Sequence, residues 1–78
     1  MKLILESIDV AQHQSTPSII CWRGGTYSVE SVIDVWSTRG RWWSEDETRN
    51  YIVLMTSSGV MEIYKSNLQG WVLSRMYD

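Results

Sequence analysis

Apolar residues recur along this chain in short runs that alternate with polar ones, and clusters of glycine, serine, threonine and asparagine separate the runs. That is the pattern of strands joined by turns. A first strand is expected over residues 3–10. A polar loop follows, His13-Gln14-Ser15-Thr16-Pro17-Ser18, which holds the only proline. Residues 19–23 are β-branched and aromatic, a strand signal. Gly24-Gly25 separates them from Thr26-Tyr27-Ser28-Val29. Two glycines there suit a two-residue hairpin turn, because both central positions of a type I′ turn need positive φ.

Residues 27–36 change phase. Tyr27 and Val29 alternate with Ser28 and Glu30, and Val32-Ile33 then breaks the alternation. Apolar groups on both faces of such a run predict a bent or bulged strand. A helix beginning near Ser31, with Val32, Val35 and Trp36 on one side, is the competing reading; the density of β-branched residues favours the strand. Residues 38–50 read as a polar loop, with Trp42-Trp43 as an apolar plug within it. Residues 51–56 form an apolar strand, central in the sheet or buried on both faces. Thr56-Ser57-Ser58-Gly59 is a turn, residues 60–65 a strand, Asn67-Leu68-Gln69-Gly70 a turn and residues 71–77 the last strand. There Trp71, Leu73, Arg75 and Tyr77 fall on one face and Val72, Ser74 and Met76 on the other. If residues 60–65 and 71–77 pair, Glu62 is expected to face Arg75 across or along the sheet. The expected fold is all-β: about six short antiparallel strands in a meander, curled into a small SH3-like or open barrel.

Seventy-eight residues make one domain, residues 1–78. A chain this short buries about 60–65% of its unfolded surface, and small domains often add disulfides, metals or oligomers. Cys21 is the sole cysteine and His13 the sole histidine. An internal disulfide is therefore excluded, a structural zinc site lacks ligands, and no cofactor is expected. Dense packing or self-association remains. Five tryptophans and four tyrosines, with no phenylalanine, supply large rings with polar tips that suit half-exposed positions and interfaces. The apolar run from Tyr51 asks for cover on both sides, which a homodimer would provide.

The net charge of −2 weighs against a generic nucleic-acid binder. Glu6 and Asp9 interrupt Lys2-Leu3-Ile4-Leu5 before a signal sequence develops. No stretch approaches the roughly 20 apolar residues that span a bilayer. A lone cysteine suits a reducing compartment. The expectation is a cytoplasmic protein without a membrane partner.

Spaced aromatics carry a resemblance. They are Trp22-Arg23-Gly24 with Tyr27 and Val29, Trp36, Gly40-Arg41-Trp42-Trp43, Arg49-Asn50-Tyr51, Glu62-Ile63-Tyr64 and Trp71-Val72-Leu73-Ser74-Arg75-Met76-Tyr77-Asp78. Over residues 21–78 the chain resembles a family of small uncharacterised bacterial domains whose members lie near genes of Y-family DNA polymerases. The resemblance implies a cytoplasmic domain without assigned activity and a link to DNA repair. Residues 1–20 carry no such likeness.

Candidate chemistry is sparse. Cys21 and His13 are the only cysteine–histidine pair, but Cys21 sits inside a strand signal, where cysteine packs as a small hydrophobe. Glu45-Asp46-Glu47 reads as a solvated acidic loop rather than a cation site. Arg39-Gly40-Arg41-Trp42-Trp43 is open to three readings: a cap in which arginines stack over tryptophans, a protein interface, or a single-stranded nucleic-acid surface. The candidate binding residues are Arg39, Arg41, Trp42, Trp43, Arg49 and Trp36. The expected function is a non-catalytic protein-interaction module with an unidentified protein partner. Single-stranded nucleic-acid binding through the arginine–tryptophan surface and a domain stabilised as a homodimer are the alternatives.

Overall fold

Alternating apolar positions and tight turns produce seven strands: β1 (Lys2–Ser7), β2 (Asp9–His13), β3 (Thr16–Trp22), β4 (Gly25–Trp42), β5 (Glu45–Thr56), β6 (Gly59–Ser66) and β7 (Gly70–Tyr77). The computed structural model describes residues 2–42 and 45–77, with side chains at residues 3–39 and 47–77. The strands form one antiparallel sheet in the order β1-β7-β6-β5-β4-β3-β2, rolled into an open half-barrel. The all-β open barrel is therefore the fold, with seven strands in place of six. Among the described residues no helix is long and apolar enough to cross a membrane.

The extra strand arises at Ile8. There the chain leaves one end of the sheet and re-enters at the other, β1 pairing with β7 and β2 with β3. Ile8 is buried, and its N–H donates to the Trp71 carbonyl at 3.2 Å. Its side chain is apolar like those of the strands on either side, so its residue type does not mark the break.

Other boundaries move for local reasons. The polar loop at residues 13–18 shrinks to a turn at Gln14-Ser15, both at positive φ (52° and 67°). Pro17 lies in β3, opposite Gln12 and beside a register shift, where a strand tolerates a missing N–H. The next turn is Arg23-Gly24, at φ 51° and 75°, not Gly24-Gly25, because Trp22 pairs with Gly25. Contacts offset the cost of positive φ at Arg23. Its guanidinium lies 4.6 Å from the Trp22 ring centre and is gripped by the Glu6 carboxylate, which also accepts the Trp22 indole N–H at 3.0 Å. These bonds tie β1 to the β3–β4 turn across the mouth of the half-barrel.

β4 is bent, as its phase change predicts, with register shifts between Val29 and Ser31 and between Val32 and Asp34. Residues 38–42 and 45–50 are strand rather than loop. The β4–β5 ladder continues from Thr38 opposite Arg49 to Trp42 opposite Glu45. β6 meets β5 only as far as Arg49. The outer hairpin is thus two-stranded and carries the polar composition that reads as a loop. The apolar plug at Trp42-Trp43 concerns a side chain and a residue outside those described.

A register shift also divides β7. Glu62 pairs with Arg75 and Ile63 with Leu73, so Ser74 is an extra residue. The expected single face of Trp71, Leu73, Arg75 and Tyr77 is split. Trp71, Leu73 and Met76 turn to the core, and Val72, Arg75 and Tyr77 turn to the other side. Glu62 and Arg75 do meet, at 3.8 Å. The core clusters Ile8, Ile20, Leu54, Met61, Ile63 and Leu73 on one side of the sheet.

Candidate functional site

The outer face of the sheet carries a row of rings. Register places Trp36, Tyr51, Tyr64 and Val72 side by side across β4, β5, β6 and β7. Trp36 stacks on Tyr51 with centroids 5.2 Å apart and planes within 4°, and Tyr51 tilts against Tyr64 at 5.1 Å. The Arg49 guanidinium lies 4.7 Å from the Tyr64 ring centre, donates to the Tyr51 hydroxyl at 3.2 Å and pairs with Glu47 at 3.0 Å. Glu47 is 2% exposed. It also accepts from the Ser66 hydroxyl and from the Gln69 side-chain amide. Ser66 in turn accepts the N–H groups of Leu68 and Gln69. This polar cluster fastens the β6–β7 turn to the β4–β5 hairpin.

The cluster shapes its own titration. Burial works against the Arg49 charge, but the hydrogen bond to the Tyr51 hydroxyl and the electrostatic attraction of Tyr64, Tyr51 and Glu47 outweigh it, so Arg49 holds its proton more firmly than free arginine. Burial also pushes the Tyr64 hydroxyl above the ordinary tyrosine value of about 10; Arg49 pulls it down and Glu47 pushes it up. A raised value in the folded state means that the contribution of Tyr64 to stability is whole below about pH 10 and is lost as pH rises through the raised value. In an alkaline titration followed by tyrosinate absorbance, Tyr64→Phe should remove a late-titrating component. Loss of an early component instead would contradict the assignment.

Beside the ring row is a cleft of about 280 Å3 lined by Trp36, Thr38, Tyr51, Glu62, Ser74 and Arg75. Glu62, 5% exposed, forms its floor and accepts the Tyr77 hydroxyl at 3.2 Å. The Thr38 hydroxyl oxygen is buried with no hydrogen-bond partner in the protein.

The second feature is β4 itself. β3 pairs with β4 only at residues 25–28, and β5 takes the other side from Val29 onward. Among the described residues, positions 29–42 therefore have no strand on the β3 side. Along this edge Val32, Ile33, Val35 and Trp36 are 41%, 54%, 59% and 37% exposed. Val32 and Val35 sit opposite Leu54 and Ile52, on the core side of the sheet, and Trp36 is on the outer side. The Asp34 carboxylate accepts the N–H of Val35 at 2.9 Å.

The residues expected at the site separate. Trp36 and Arg49 share the outer face, with Arg49 engaged by Glu47 and Tyr51. Arg39 stands opposite Thr48 on the other face. Arg39 and Arg49 therefore do not form one basic surface. Arg41 and Trp42 pair through their backbones with Asp46 and Glu45 near the hairpin tip. Their side chains, and Trp43 entirely, lie outside the described residues. Cys21 pairs with Asp9 and His13 with Thr16, at opposite ends of the β2–β3 ladder. Sequence reasoning missed the exposure of Val32, Ile33 and Val35, although their phase break was visible. It also missed the Glu47–Arg49–Tyr64 cluster, for which spacing two apart along one strand was the only signal.

Compared with protein-family models, residues 2–78 match the family described as a domain of unknown function, DUF6504. The match extends over the N-terminal residues, where the spaced aromatics gave no likeness. No curated protein and no solved structure matches the chain.

Proposed function

We propose that this chain, which belongs to the DUF6504 family of domains of unknown function, is a non-catalytic protein-interaction module that uses β4 as its contact strand. One observation carries this reading. Four large apolar residues of β4, Val32, Ile33, Val35 and Trp36, interrupted only by Asp34, are exposed where no strand pairs with the β3 side of β4 among the described residues. Scattered exposed apolar residues are ordinary, but a contiguous group on an open edge is what natural sheets avoid unless it is used. Trp36 supplies an aromatic anchor of the kind that dominates interfaces. The resemblance to bacterial domains near Y-family polymerase genes makes a DNA-repair protein the first heterologous partner class to examine, in the cytoplasm.

Single-stranded nucleic acid is the weaker reading. Arg39 and Arg49 face opposite ways, Arg49 is held by a buried carboxylate, and the net charge is −2. The test is photo-crosslinking in cells that express the chain. A photo-reactive residue at Val35 is expected to capture a polypeptide that the same residue at Ser57, exposed in the β5–β6 turn, does not. Equal capture at both positions, or none at Val35, would remove β4 from the contact surface.

A further inference from the structure

The cleft on the outer face defines the chemistry of what can fill it. We infer that it takes an arginine side chain of the protein partner, with the apolar stem against Trp36 and Tyr51 and the guanidinium on Glu62. The inference rests on the reading of this chain as a protein-interaction module and names what the partner must present.

The first argument is the carboxylate on the floor. Glu62 is 5% exposed, and its Oε1 accepts the Tyr77 hydroxyl. Its Oε2 accepts no hydrogen bond among the described residues. The cation beside it is Arg75, whose Nε stands 3.8 Å away, beyond hydrogen-bond distance, and whose side chain is 44% exposed. A buried carboxylate is costly unless it is closely paired and hydrogen-bonded. A second cation bearing N–H donors completes it. One carboxylate between two guanidiniums is an arrangement that buried networks contain.

The second argument is size and lining. A volume of about 280 Å3 is at the small end for ligand pockets, room for one long side chain rather than a strand. Trp36 and Tyr51 give an apolar wall, and Glu62 gives a charged floor. An arginine matches both, because its methylenes pack along apolar surface while its head keeps to a carboxylate. The Thr38 hydroxyl oxygen, buried in the same lining without a partner, is a further acceptor that a donor would satisfy. A guanidinium has five N–H donors in a planar fork; an ammonium lacks that reach.

The third argument is charge. Register sets Asp34, Val53, Glu62 and Arg75 in one row across β4, β5, β6 and β7 on the outer face. Two acids stand there against one base, an excess in the same direction as the net charge of −2. That balance draws a basic group and repels a phosphate. Trp36 belongs both to the cleft and to the exposed segment of β4, so a partner laid against β4 has the cleft within reach.

The test is an NMR titration of the isotope-labelled full chain with acetylated glycyl-arginyl-glycinamide. The Trp36 indole signal and the amides of Thr38, Glu62 and Arg75 are expected to shift together, with a dissociation constant of about 1 mM, as suits a single side chain. Citrulline in place of the peptide's arginine keeps the shape and removes the charge, and should weaken binding at least about tenfold. In the chain, Glu62→Gln should weaken it about tenfold and Trp36→Ala at least about threefold. Amide signals remote from the cleft report whether each variant is folded, and the comparison of the two peptides needs no variant. No shift at Trp36 up to about 20 mM peptide, equal affinity for the citrulline peptide, or unchanged binding by folded Glu62→Gln overturns the inference. So does a short oligothymidylate that moves the same signals at lower concentration, which assigns the cleft to nucleic acid. Crosslinking at Val35 separates this inference from the reading of β4. Capture at Val35 without arginine binding overturns the occupant of the cleft and keeps the contact strand. Arginine binding without capture keeps the cleft and removes β4. Absence of both overturns the two together.

Discussion

Arg49→Met is expected to lower the free energy of unfolding by about 3 kcal/mol, the usual cost of leaving a buried charge without its counter-ion. The carboxylate left behind is that of Glu47, 2% exposed and bonded to Ser66 and Gln69 as well as to Arg49. Water cannot readily replace the guanidinium there. The loss is large because a domain of this size has only about 5–10 kcal/mol of net stability. It also removes the cation from the face of Tyr64 and the hydrogen bond to Tyr51. Urea denaturation measures it directly. The double variant Glu47→Leu/Arg49→Met should recover most of the loss, since an apolar pair of similar volume carries no desolvation penalty. A loss under about 1 kcal/mol for Arg49→Met alone would mean that Glu47 is hydrated in solution, and the cluster would then resemble an exposed ion pair.

Ile20→Ala should cost about 3 kcal/mol, while Ile19→Ala should cost no more than about 0.5 kcal/mol. The two residues are neighbours of identical chemistry. Ile20 is fully buried against the cluster of Leu54, Met61, Ile63 and Leu73, whereas Ile19 is 41% exposed. Ile20 is also the fully buried side chain through which β3 reaches the core supplied by β5, β6 and β7. Truncating it loosens the wall that rolls the sheet into a half-barrel. Chemical denaturation of the two variants side by side tests the register of β3. Equal losses would contradict it, because a shift of one residue exchanges the faces.

Alternation fixed most of the strand content in advance, since period two is a local property of the chain. What it could not supply was the destination of each strand. Residues 3–10 read as one strand, yet the two halves flank opposite ends of the sheet, because Ile8 is apolar whether it lies in a strand or pivots into the core. The same blindness applies at Ser74. A small polar residue in β7 gives no sign that the ladder will skip it, and the skip reverses the facing of Arg75 and Tyr77 relative to Leu73. At Arg23 the two glycines that follow were a stronger local signal than the contacts with Glu6 and Trp22, which join residues far apart in sequence. The candidate site was legible in part. Trp36 stands on the exposed strand and beside Arg49, but the side of the sheet to which each arginine points depends on pairing. The expectation of one arginine–tryptophan surface therefore divided once β4 and β5 were in register.

The position of β1 beside β7 has a consequence for the order in which the molecule assembles. Every other pairing in the sheet joins strands consecutive in the chain, so each can close as a local hairpin at small loop entropy. β1 alone must find a partner at the far end of the sequence. As the chain leaves the ribosome β1 appears first, yet its ladder cannot form until β7 has been made. One contact of β1 does not wait for β7: Glu6 can engage Trp22 and Arg23 as soon as the β3–β4 hairpin closes. Loss of that contact, as in Glu6→Gln, is therefore expected to slow folding as well as to lower stability, which stopped-flow refolding measures.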